Sequence, residues 1–136
     1  MNKLKGKITN IQQSGAVMLI DLEVNGQGFS ALLIESAEKP EWLKTEQAVN
    51  LVFKETEVSL AKKLAGQISV RNRMNCKVIN IERGQLLSKV KLQFGDYPIT
   101  SVITTRAADS LLIAAGEEIE ALVKANEISL MKITGK

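Results

Sequence analysis

The sequence predicts an all-β protein made of two tandem five-stranded barrels, and three observations carry that prediction. Residues 1–66 and 67–136 are two versions of one sequence at an offset of seventy: Asn2/Asn72, Lys7/Lys77, Asn10/Asn80, Leu22/Leu92, Glu57/Glu127, Ser59/Ser129 and Leu60/Leu130 are identical pairs. A period of that length means one small fold used twice. Apolar and polar residues alternate at period two, most plainly in Ser88-Lys89-Val90-Lys91-Leu92-Gln93-Phe94, as a half-buried strand requires. Each copy then reads as three strands, a short helix and two strands, an order that leaves little room for parallel crossovers.

The elements follow in order. The first strand is Leu4–Ile11 or Met74–Ile81, and the turn after it contains Gly15 or Gly84. The second strand turns Ile20, Leu22 and Val24, or Val90, Leu92 and Phe94, to the interior. Asn25-Gly26 and Gly95-Asp96 supply hairpin turns into the third strands, Phe29–Ile34 and Ile99–Thr104. A short helix is expected next, capped by Ser36 or Thr105 and passing through Trp42-Leu43 or Leu112-Ile113, with Pro40 in its first turn. The last strands are Ala48–Phe53 paired with Val58–Leu60, and Ile119–Val123 paired with Ile128–Ile133. Such a unit fits the small closed barrel of the oligonucleotide/oligosaccharide-binding type. Val52 and Leu122 fall on the outer face of the fourth strand, either as isolated surface residues or within a subunit interface edged by Lys54 or Lys124.

Composition narrows the function. Each repeat lies near the lower size limit for independent folding and needs a partner to bury its surface. Hydrophobic residues are 45% and charged residues 24% of the chain, an ordinary globular balance. No apolar run approaches the roughly 20 residues of a membrane span, and no secretory signal follows the basic N-terminal residues, so a cytoplasmic location is expected. The single Cys76 alternates with Met74 and Val78 and reads as a core residue. Histidine is absent, which removes the usual general base and the commonest transition-metal ligand; a metal-cation site and an enzyme are the least favoured classes.

Charge separates the repeats. Residues 1–66 hold eight lysines and eight acidic residues, whereas residues 67–136 hold ten basic and seven acidic ones, including all four arginines. Three stretches of repeat two concentrate hydrogen-bond donors: Ser69-Val70-Arg71-Asn72, Ser101-Val102-Ile103-Thr104-Thr105 and Lys124-Ala125-Asn126. Together they have the groups a buried divalent oxyanion needs, cations for charge-assisted bonds plus hydroxyl and backbone donors. Repeat one has Met1 where Arg71 stands, Glu35 in place of Thr105 and Glu55 in place of Ala125, so it has gained negative charge and lost a cation.

Ser69-Val70-Arg71-Asn72-Arg73-Met74 resembles the Ser-Ala-Arg-Asn-x-Leu opening of the Mop domain, and Val102-Ile103-Thr104 with Ala121-Leu122-Val123-Lys124-Ala125 resembles its later segments. Over both repeats the chain is similar to a tandem Mop protein, a molbindin of the TOBE superfamily. The resemblance implies a pair of barrels that bind molybdate or tungstate for molybdenum storage, homeostasis or sensing, with no organic cofactor. It implies Ser69, Arg71, Lys124, Ala125, Asn126 and Thr104 as oxyanion-binding residues, with Lys54 in the weaker copy. Two departures stand out: Asn126 replaces a family serine, and Val70 replaces a smaller residue. Repeat one has no counterpart of Ser69, and Lys54-Glu55-Thr56 sets a carboxylate beside its lysine. The tandem molbindins it resembles are trimers and the tandem pair of the molybdate-responsive regulator is a dimer, so a homotrimer is favoured over a dimer.

Two other functions compete. A single-stranded nucleic-acid binder would use the same barrel, but aromatic residues are 4% of the chain and are not interleaved with basic ones. An interaction or regulatory module with a degenerate anion site, like the accessory barrels of transporter ATPases, is the stronger alternative.

Overall fold

The computed structural model describes residues 1–34 and 39–134. Repeat one contributes β1 (Asn2–Ser14), β2 (Val17–Val24), β3 (Gln27–Ile34), β4 (Ala48–Phe53) and β5 (Ser59–Ala61). Repeat two contributes β6 (Asn72–Arg83), β7 (Leu87–Phe94), β8 (Tyr97–Thr104), the helix α1 (Thr105–Ser110), β9 (Glu118–Val123) and β10 (Ser129–Lys132). A single 3-10 turn follows each fourth strand, at Glu55–Glu57 and Ala125–Glu127.

The strands form two antiparallel sheets, ordered β10-β4-β1-β2-β3 and β5-β9-β6-β7-β8. The repeats have therefore exchanged their last strands. Ser129 to Lys132 pair with Val52 to Val49, and Ser59 to Ala61 pair with Leu122 to Glu120. This corrects the expected pairing of Ala48–Phe53 with Val58–Leu60 and of Ile119–Val123 with Ile128–Ile133. Each sheet curls until its end strands approach, β3 beside β10 and β8 beside β5, so each is an oligonucleotide-binding-type barrel closed by a strand of the other repeat. A register shift after Ile8 and another after Val78 give β1 and β6 the bulge that lets one long strand serve both sides of its barrel.

The second strands turn inward as predicted, and the fourth strands bury the matching side chains. Ile20, Leu22, Val24, Val90, Leu92, Phe94, Val49, Leu51, Phe53, Ile119, Ala121 and Val123 are all buried, in one cluster that runs through both barrels. Phe29 of β3 meets Phe94 of β7 edge-on, with ring centroids 6.1 Å apart, so the cores touch directly. Cys76 is free and buried, and desolvation pushes its thiol up to about 12. Val52 and Leu122 are buried inside the single chain. They are neither surface residues nor in need of a second copy to cover them.

The two hairpins reach the same connection through different turns. Asn25 and Gly26 both have positive φ, the type I′ pattern, whereas in Gly95-Asp96 only the glycine does, the type II′ pattern. The helices differ from expectation. In repeat two α1 ends at Ser110, before Leu112-Ile113, because Leu112 is left-handed at φ 53. Its cap is Thr104 instead of Thr105: the Thr104 hydroxyl accepts from Ala107 N at 3.1 Å. In repeat one Ser36 lies outside the described residues, and residues 39–47 form turns through Trp42-Leu43 with no helix. Pro40 disfavours helical backbone at Lys39, and its carbonyl instead accepts from Leu43 N at 3.0 Å in a tight turn.

Candidate oxyanion site

Arg71 and Lys124 are far apart in sequence, and the β6–β9 ladder brings them together. Its last register pair is Asn72 with Val123, so the residues just beyond it, Arg71 and Lys124, flank the point where the strands part. Both are exposed. The next cation along, Arg73, is already committed: its Nε and Nη2 donate to Glu120 at 2.7 and 3.0 Å, and those bonds hold its pKa above the usual value.

The 3-10 turn after Lys124 adds backbone donors. Glu127 Oε1 accepts from Lys124 N at 3.3 Å, while Glu127 N and Ile128 N bond back to the carbonyls of Lys124 and Ala125. The N–H groups of Ala125 and Asn126 precede the first closed ring and have no partner inside the turn.

The third wall comes from the other repeat. Asn72 bonds through its side chain to both backbone groups of Ser30, with Ser30 N donating to Oδ1 at 2.7 Å and Nδ2 donating to Ser30 O at 2.9 Å. The Ser30 N–H therefore points to the open edge of β3, and strand alternation sets the N–H of Leu32 on that same edge. The turn at Ala125–Glu127 packs against β3. Arg71 lies in a shallow cleft with Asp21, Ser30, Thr9 and Gly28, where the Ser30 hydroxyl donates to Asp21 Oδ1 at 3.0 Å. Sequence reasoning passed over Ser30 and Asp21 because they belong to the half with the poorer motif. The identity of Asn2 with Asn72 was the available signal.

A counterpart junction stands on the other side of the molecule. Asn2 pairs with Phe53, which sets Met1 opposite Lys54. Asn2 Oδ1 accepts from Thr100 N and Asn2 Nδ2 donates to Thr100 O, both at 2.8 Å. The turn at Glu55–Glu57 packs on β8, and Glu55 Oε2 lies 3.5 Å from Met1 N. Ser69 is exposed in the connection between repeats, two residues ahead of Arg71. Thr104 does not join Arg71 and Lys124. It sits at the far end of β8, the strand that faces Lys54, and its hydroxyl caps α1.

Residues 68–130 match the TOBE domain family. Molybdenum-pterin-binding protein 2 of Clostridium pasteurianum is 31% identical over 65 residues, which are 47% of this chain and 96% of that protein. The chain belongs to the TOBE family of molybdenum-pterin-binding proteins. The TOBE chain is also 34% identical over 95 residues to the molybdenum import ATP-binding protein ModC of Brucella abortus, across 69% of its own length and 26% of ModC. It thus spans about a quarter of the length of those transport proteins. Its complete fold matches a solved structure of the cytoplasmic molybdate-binding protein ModG with molybdate bound, at a TM-score of 0.90 and 24% identity, covering 97% of this chain and 96% of ModG. That match takes in both halves of the chain. Among the described residues, no helix is long and apolar enough to cross a membrane.

Proposed function

We propose that this TOBE chain is a non-catalytic binding protein for molybdate or tungstate. In this reading Arg71 and Lys124 neutralise the anion, the N–H groups of Ala125 and Asn126 orient it, and Ser69 closes over it from the connection. Lys54 serves a weaker counterpart, and Thr104 is left to its helix. One observation carries the reading: the β6–β9 register sets Arg71 and Lys124 side by side where the strands part, and the turn after Lys124 packs against β3. An oxyanion with charge on all its oxygens suits such a cradle, since charge-assisted bonds are about twice as strong as neutral ones. The molybdate held by ModG and the molybdenum in the names of the clostridial and Brucella relatives support the choice of anion.

The proposed unit is the pair of repeats, 1–66 and 67–136, acting together, because each junction draws on both. Its role is cytoplasmic molybdenum storage, homeostasis or sensing. A homotrimer is proposed ahead of a dimer, as in the tandem molbindins the chain resembles, and the exposed aliphatic side chains of Ile34, Leu86, Leu87 and Leu112 offer surface for self-association of either kind. Light scattering tests the assembly, and a monomer at micromolar concentration overturns it.

Calorimetry with molybdate, tungstate and sulfate tests the binding. The expected result is heat and a thermal shift with the first two; no response to either overturns the reading. That outcome favours the second reading, an interaction module with a degenerate anion site, which the ModC match supports.

A further inference from the structure

We propose that Asn72 is the positioning residue of the Arg71–Lys124 junction and that Asn2 has the same task at the Lys54 junction. The proposal rests on the oxyanion reading and adds to it a residue that touches no anion. Asn72 is fully buried and Asn2 nearly so, two of the few buried polar side chains among the described residues. The hydrogen bonds of Asn72 are complete. Oδ1 accepts from Ser30 N, and the two protons of Nδ2 go to Ser30 O at 2.9 Å and Val123 O at 3.0 Å. Two carbonyls facing Nδ2 also fix which way the amide points, because a flipped amide would set oxygen against oxygen.

Those bonds have a geometric effect. By taking both backbone groups of Ser30, the side chain acts as one extra residue of strand on the open edge of β3. It ties three segments at one point: the β6 end that carries Arg71, the β9 end that carries Lys124, and the β3 edge that carries the Leu32 N–H. Repeat one also holds these segments through β5, which pairs Ser59 with Leu122, through the turn after Lys124 packed on β3, and through Gln27 Nε2 bonding to Arg73 O, but Asn72 is the side chain that bonds to both β9 and the β3 edge. Removing the amide takes away the hydrogen bonds that set the spacing between the cation pair and the β3 donors. Asn2 repeats the pattern on Thr100, so this residue is kept at both junctions although Arg71 and Ser69 are matched at only one. An amide kept where the cations differ has the distribution expected of a group that sets geometry.

The test is calorimetry with molybdate on the full chain carrying Asn72→Asp, Asn2→Asp or the distant core change Ile113→Ala, at a buried residue just past α1. Asn72→Asp retains an acceptor for Ser30 N but turns a carboxylate toward two carbonyls. It is expected to weaken the stronger site by about tenfold or more, the scale of a lost buried polar contact. Asn2→Asp should leave that site within about twofold, and Ile113→Ala should lower Tm without changing affinity, since neither touches the junction. Unchanged affinity in Asn72→Asp, or an equal loss in Ile113→Ala, overturns the positioning role. If Asn72→Asp does not fold, Asn72→Ser is judged by the same criteria, with the Ser30 amide shift on adding molybdate as a second readout. Failure of the unmodified chain to bind molybdate overturns the oxyanion reading instead, so the two failures are distinct.

Discussion

At the Asn72 junction an arginine and a lysine stand over a strand pair carrying Asp21; at the Asn2 junction a lysine and Glu55 stand over one carrying Lys91, which pairs with Glu82 at 3.2 Å. Counted along the sequence, the positive excess belongs to repeat two. Counted in space, it is divided, because each junction takes its cations from one repeat and its strand edge from the other. Charge tallied by repeat is therefore a poor guide to charge at a site. The Asn72 junction keeps the advantage of Arg71, but by less than the sequence implies.

The largest expected effect breaks or sharpens that ranking. Lys124→Ala should weaken molybdate binding by about ten- to a hundredfold, the range of a lost bond to a charged group, and Lys54→Ala should cost less; equal losses in calorimetry would show the junctions to be equivalent. A second comparison concerns the cores. Gly6 packs against Leu51 and Val24 so closely that a Cβ would lie 2.9 Å from each, whereas in repeat two Cys76 takes the position of Gly6 and the smaller Ala121 that of Leu51. Importing one residue without the other, as in Gly6→Cys, is expected to cost about 1–3 kcal/mol by overpacking. The double change Gly6→Cys with Leu51→Ala should recover part of it, and urea unfolding reads both.

Asp21→Asn keeps an acceptor for the Ser30 hydroxyl and removes the carboxylate from the Arg71 cleft. Affinity should rise about threefold, and more at low salt, as expected for a nearby like-charged group. The smallest effect is on stability. Lys62, beyond β5, donates to the carbonyls of Leu111 and Leu112 at 2.7 and 3.1 Å and pairs with Glu117 at 3.0 Å. Repeat one has Gln47 at the position of Glu117, and no such latch is present there among the described residues. The Ala114 N–H and then Lys62 hold the Glu117 carboxyl below its ordinary range. Its contribution is therefore present above the unfolded pKa and is lost as pH falls through the lower folded value. Glu117→Gln should lower Tm by about a degree or two at pH 7, and the difference should vanish under acid conditions in a calorimetric pH series.

Most of the barrel was legible because alternation and turn chemistry are local. Val90, Leu92 and Phe94 reveal their faces by period, and Asn25-Gly26 announces its hairpin. The exchange of last strands was not legible for a physical reason: Ser59-Leu60 and Ser129-Leu130 are the same dipeptide after the same Glu57/Glu127, so either partner satisfies either ladder. The helix cap slipped by one residue because Thr104 and Thr105 both carry a hydroxyl, and only backbone direction chooses between them. Donor content grouped the Arg71 and Lys124 stretches and the resemblance singled out the two cations, but nothing local shows that residues in two separate strands are neighbours. Ser30 and Asp21 were missed because they lie in repeat one, and only the packing of the two repeats sets them beside Asn72 and Arg71.

The exchange also changes what dilution can do. Strands that close a barrel from outside it would ordinarily have to meet by diffusion, and their pairing would depend on how much protein is present. Here the linking segment tethers both donors to both acceptors. Closure becomes a first-order event at an effective concentration on the order of millimolar for a short flexible tether. The paired barrels, and the two junctions between them, should then persist however dilute the protein becomes.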